Sequence, residues 1–88
     1  MHERALMEDL MREIDAVARA DGASRVTKIE VRLGALSHFT PEHFREHFLD
    51  ASRGTLAEGA VVTATLATSI DDPKASGVVL ESVEVEVP

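Results

Sequence analysis

VTKIEVRLG, residues 26–34, alternates in steps of two. Ile29, Val31 and Leu33 fall on one side, and Lys28, Glu30 and Arg32 on the other. That period marks a strand with one buried face and one wet face. Its neighbours on both sides read as helices. Upstream, Leu6, Leu10, Ile14 and Val17 recur at helical spacing, widened by Met7, Met11 and Ala18, which predicts an amphipathic helix over residues 3–21. Glu3, Glu8 and Asp9 suit the positive end of its dipole, and Gly22 is placed to end it in a left-handed conformation. Downstream, residues 35–39 form a loop. Thr40 can then cap a helix whose first position is Pro41, where a missing donor costs nothing.

This second helix is expected over residues 41–52. Phe44, Phe48 and Ala51 make its apolar face, Leu49 sits beside them, and Arg53-Gly54 closes it. Residues 55–60 connect to VVTATLAT, 61–68, a strand rich in β-branched residues. Residues 69–77 are polar and turn-like, and 78–87 alternate again, with Val83, Val85 and Val87 against Ser82, Glu84 and Glu86. The order helix–strand–helix–strand–strand predicts an α+β fold, with two helices packed on one face of a three-stranded sheet. The last two strands, joined by a short connection, are expected to pair antiparallel. The unit over residues 26–68 would be a right-handed crossover if its strands lie in one sheet and run parallel. Eighty-eight residues without an internal repeat or linker read as one domain.

Composition removes several classes of function. Leu, Ile, Val and Phe together exceed the roughly 20% below which a chain of high charge stays disordered. Nine basic residues stand against sixteen acidic ones, net −7, and the basic ones are scattered, so no nucleic-acid partner is expected. There is no Trp or Tyr to stack on bases. No apolar run reaches the ~18 residues of a membrane span, and the charged N-terminus is no signal peptide, so a cytoplasmic protein is expected. Cysteine is absent, which excludes disulfides, thiolate nucleophiles and thiolate zinc sites. The ligands left for a borderline metal are four His, three Met and the terminal amine.

Two groups of residues point to metal chemistry. The first is Met1-His2-Glu3. The terminal amine of Met1, the amide and imidazole of His2 and the amide of Glu3 can supply four nitrogens in a plane, which suits Ni(II) or Cu(II) rather than zinc. Protons must leave these groups, so affinity should rise with pH. Its plainer reading is an exposed His at a helix start. The second is His43, His47 and Asp50, spaced four then three on one helical face, where a His pair at i and i+4 can chelate a divalent ion. Its plainer reading is a solvated face shared with Glu42 and Glu46. His38 could approach this cluster or simply turn the chain. Met7 and Met11 read as core packing rather than a soft-metal motif. Ser37 has no base arranged around it, and the five glycines stand singly, so neither a hydrolase nor a phosphate loop is supported. No enzyme is expected. Glu81, Glu84 and Glu86 read as a wet face or blunted edge, or as a docking surface for a basic partner.

Several blocks, in order, resemble one family. Met1-His2-Glu3 opens the chain, RVTKIEVRLGALS occupies 25–37, Pro41-Glu42 is followed by Phe44, GTLAEGA occupies 54–60 and LESVEV occupies 80–85. The chain is similar to the HypA/HybF family, the nickel metallochaperones of nickel–iron hydrogenase maturation. The resemblance covers residues 1–68 and 78–87. It implies that His2 is the essential nickel ligand, helped by the terminal amine of Met1 and the backbone of His2 and Glu3. It also implies a HypB-like GTPase partner, contacted through Glu3 and the first helix, and delivery of Ni(II) to a metalloenzyme precursor.

The departures from the family pattern are specific. Members carry a zinc module with two Cys-x-x-Cys pairs between the last two strands. Here residues 69–77 stand in its place without a cysteine, so no zinc is expected and residues 1–88 read as a single nickel-binding domain. Thr40 stands where many members have an acidic residue, and His43 and His47 fall outside the family pattern. The first functional reading is therefore a nickel carrier without a zinc module. Its alternatives are a metal-independent interaction or regulatory module, with a homodimer through a strand edge among its forms, and a divalent-metal carrier using His43 and His47.

Overall fold

The computed structural model describes residues 2–88, with side chains from Glu3 onward. Its elements are α1 (His2–Ala20), β1 (Arg25–Leu33), α2 (Pro41–Ala51), β2 (Val61–Leu66) and β3 (Val78–Glu86). The expected α+β order holds, with every boundary within two residues. The first helix ends as its glycine dictates: Gly22 has φ +67, and Ala23 N–H bonds back to Ala18 O at 3.0 Å.

Both helices cover one face of a mixed three-stranded sheet. α1 packs beside β3, α2 beside β2, and the helices touch each other. One core joins them, with Leu10, Ile14, Ala18, Val26, Ile29, Val31, Leu33, Phe44 and Phe48 all nearly sealed from solvent. The helix stripe is rotated slightly from its expected line. Met7, Leu10, Ile14 and Ala18 are buried, whereas Val17 is exposed. Ala18 wins that position because a small side chain admits the close approach of the chain that follows. On α2, Phe44 and Phe48 are buried as expected, while Ala51 and Leu49 are exposed. Val87 lies beyond β3 and is exposed as well, while Val83 and Val85, with Val78 and Leu80, pack against the core.

The strand order is β2-β1-β3, with β2 parallel and β3 antiparallel to β1. This corrects the expected antiparallel pairing of the last two strands, which never touch as a ladder. β1 takes the centre because its inward face is the most completely buried: Val26, Ile29, Val31 and Leu33 are each at 0–1% exposure. The crossover through α2 returns β2 alongside it, and residues 67–77 then pass over the end of β1 to its other edge. Hydrogen bonds stitch that passage down, from Ala67 N to Leu33 O at 2.8 Å, Gly34 N to Gly77 O at 2.9 Å and Leu36 N to Ala75 O at 2.7 Å. Gly34 is required there, since any Cβ would overlap the Ala75 carbonyl.

Two irregularities set the register. One extra residue in β1 between Val26 and Lys28 puts Val26 on the same face as Ile29, three positions away. A matching extra residue in β3 lies opposite Glu30 and Val31. On the wet face, Arg32 meets Glu81 at 3.2 Å, Lys28 meets Glu84 at 3.9 Å and Ser82 donates to Glu30 at 2.5 Å. The acidic residues of β3 are thus partly neutralised by β1. Such exposed pairs contribute at most about 1 kcal/mol each.

Candidate metal centre

Two places carry the candidate ligands. At the N-terminus, Met1 and the side chain of His2 lie outside the described residues. What is described around them is the start of α1. Glu3 lies in its first turn, half-buried, and Arg4 pairs with Glu8 at 3.1 Å. The first four N–H groups of a helix have no partner within it. The amides of His2 and Glu3 are therefore not committed to α1.

The second place is α2. Thr40 caps it as expected, its side-chain oxygen accepting from His43 N at 3.1 Å. Phe39, the residue before the cap, folds back edge-to-face on Phe44 at 5.6 Å. That is a hydrophobic staple between the position before the cap and the fourth helical residue. It fixes the entry of the helix and buries Phe39, although residues 35–39 form a loop. The signal was present: an aromatic residue immediately before Thr40-Pro41, with Phe44 at the matching place.

His43 and His47 rise from the adjoining face. Their Nε2 atoms are 2.9 Å apart and their ring centroids 4.5 Å apart, crossed at 66°. Phe39 lies behind both rings, at 5.8 Å from His43 and 6.0 Å from His47. His43 is half-buried and His47 exposed. Both border a shallow depression of about 260 Å³ with Glu46 and Asp50. Asp50 is turned to Arg53, at 3.3 Å, so it is a neighbour of the pair rather than a third converging ligand. Among the described residues no three His, Asp or Glu side chains converge as a metal cage. His38 does not border the depression; it sits exposed in a left-handed turn with φ 68. Ser37 is fully buried and accepts from Phe39 N at 3.3 Å, so it serves the turn.

A groove of about 600 Å³ runs between the two helices. Arg4, Met7, Glu8 and Met11 of α1 line one side, and His47, Asp50 and Ala51 of α2 line the other. Met7 is a core residue and Met11 is half-buried beside the core, as their spacing predicted. Among the described residues no helix is long and apolar enough to cross a membrane.

A protein-family model described as "Hydrogenase/urease nickel incorporation, metallochaperone, hypA" matches residues 1–71. The hydrogenase maturation factor HypA of Chlorobium limicola is 42% identical over 60 residues, 68% of this chain and 52% of that protein. Its counterpart in Methylocella silvestris is 45% identical over 60 residues, 68% of this chain and 53% of that one. The one from Chlorobium luteolum is 36% identical over 77 residues, 88% and 61% of the two chains. The chain thus spans about half the length of the first two curated relatives it matches. The solution structure of the Ni metallochaperone HypA from Helicobacter pylori matches with a TM-score of 0.80 over 100% of both chains, at 14% identity, a likeness of fold alone.

Proposed function

This chain belongs to the HypA family of nickel-incorporation metallochaperones, and from that premise we propose that it binds Ni(II) at its N-terminus and hands it to a metalloenzyme precursor of the hydrogenase type. The observation that carries the proposal is the family match beginning at residue 1, which takes in Met1-His2-Glu3. The ligands are the terminal amine, the amide and imidazole of His2 and the amide of Glu3. A helix N-terminus repels a cation. Two ionised amides cancel the charge of Ni(II), so the neutral chelate escapes that penalty. The site catalyses nothing. It is an open, terminal chelate, which suits a carrier that must release its cargo.

Residues 1–88 act as one nickel-binding domain, in which residues 69–77 take the place of the Cys-rich zinc module. The absence of any cysteine and the close stitching of this segment to β1 support that reading. A HypB-like GTPase is the proposed partner, meeting Glu3 and the first turns of α1.

The test is calorimetric titration of tag-free protein with Ni(II), beside His2→Ala and a variant extended by one residue at the N-terminus. The expected result is a tight, near-stoichiometric phase that both changes abolish. A tight phase surviving in either would overturn the N-terminal assignment and favour a carrier site elsewhere on the chain, whereas no tight phase in the unaltered protein would leave a metal-independent interaction module as the function.

A further inference from the structure

We propose that His43 and His47 form a second, weaker divalent-metal site on α2, of the Ni(II) or Cu(II) type, independent of the N-terminal chelate. The argument is geometric. Two metal–imidazole bonds of about 2.0–2.1 Å meeting at a right angle hold their nitrogens about 2.9 Å apart, whereas a tetrahedral angle requires about 3.3 Å. The Nε2 atoms of His43 and His47 stand 2.9 Å apart. That is the spacing of adjacent corners in a square-planar or octahedral site as well as of the hydrogen bond the rings now make, so an ion that replaces the shared proton requires the rings to turn while their nitrogens stay about as far apart.

The surroundings hold that pose. Phe39, at 3% exposure, packs behind both rings and is itself clamped on Phe44. The pair therefore does not need to be ordered by the metal, which lowers the cost of binding. On the open side, Glu46 borders the same depression and supplies negative charge beside the ion, while Asp50, also at its border, is paired with Arg53. Among the described residues Glu46 is in no ion pair. Two protein ligands leave the remaining positions to water. The site is thus an exchangeable one, suited to holding an ion briefly rather than caging it. His38 cannot complete it, because it lies outside the depression.

The experiment is Ni(II) titration in the His2→Ala background, which removes the N-terminal chelate and separates the two assignments. A residual phase of about one ion per chain is expected. Adding His47→Ala should weaken it by at least about tenfold, while adding His38→Ala should leave it unchanged. Zn(II) should bind the same background more weakly than Ni(II). Circular dichroism confirms that each variant is folded. A second readout needs no calorimetry: substoichiometric Cu(II) should broaden the ring-proton resonances of His43 and His47 in His2→Ala, ahead of those of His38. No residual phase in His2→Ala, a phase indifferent to His47→Ala, or equal broadening of all remaining imidazoles overturns the proposal. None of these outcomes bears on the tight N-terminal phase of the wild type.

Discussion

Helix α2 carries two pairs of rings at the same four-residue spacing, one residue out of step. Phe44 and Phe48 lie at 0% and 3% exposure, with centroids 6.2 Å apart and planes nearly parallel. His43 and His47 lie about a hundred degrees around the helix, with centroids 4.5 Å apart and Nε2 atoms 2.9 Å apart. One pair fastens the helix to the sheet. The other faces outward and is free to do chemistry. Phe39 connects them, because the same ring that caps Phe44 backs both imidazoles. A functional pair on an exposed face thus takes its rigidity from the core pair beside it.

The comparison is sharpest in a pair of matched truncations. Phe44→Ala should cost about 3–5 kcal/mol, the transfer and cavity terms of a fully buried aromatic. Set against a total stability of about 5–15 kcal/mol for small domains, that loss is a large share of the whole. His47→Ala, one position before Phe48 on an exposed face, should change stability by no more than about 0.5 kcal/mol. Urea denaturation of both variants checks the contrast. Similar costs would mean that the imidazoles belong to the core, and the division between the two faces would fail.

The cap tests how the two faces are coupled. Thr40 Oγ1 accepts from the backbone of His43 itself. Thr40→Ala should cost about 1 kcal/mol, and Thr40→Ser should restore most of it. The first turn of α2 frays before the rest, so His43 loosens before Phe48 does. The residual Ni(II) phase in a His2→Ala background should therefore weaken on Thr40→Ala, while near-ultraviolet signals of the core remain. An unchanged metal phase would show that Phe39 alone holds the imidazoles in place.

Much of this was legible in the residues, and the misses have physical causes. The alternation of 26–34, the Thr40-Pro41 start and the Phe44/Phe48 face all report local geometry, which a sequence states directly. The pairing of the strands does not. A connection such as 67–77 is long enough to turn back or to cross over, and only the three-dimensional competition for the centre of the sheet decides. Val26 reached the core through an extra residue in β1 that period-two counting cannot register. Val17 gave way to Ala18 because close packing favoured the smaller side chain over the more apolar one. For the site, His43 and His47 were visible as a spacing, but their 2.9 Å approach and the Phe39 backing were not. The hydrophobic staple that creates the backing is readable from Phe39, one residue before the Thr40 cap, and Phe44, the fourth helical residue.

A third face of α2 gives the smallest expected effect and the finest test. Leu49 follows Phe48 directly, yet 61% of it is exposed. It borders a shallow depression with Phe48, Gly59 and Val62, on the side of the uncharged edge strand β2. In an isolated chain Leu49→Gln removes little buried surface, so stability should shift by no more than about 0.5 kcal/mol. The sedimentation behaviour of the protein should stay the same. If the variant instead lost more than about 1 kcal/mol, or if loss grew with protein concentration, Leu49 would be covered in solution by a second copy. The helix would then have two buried faces, and only the strip bearing His43 and His47 would be open to solvent and metal.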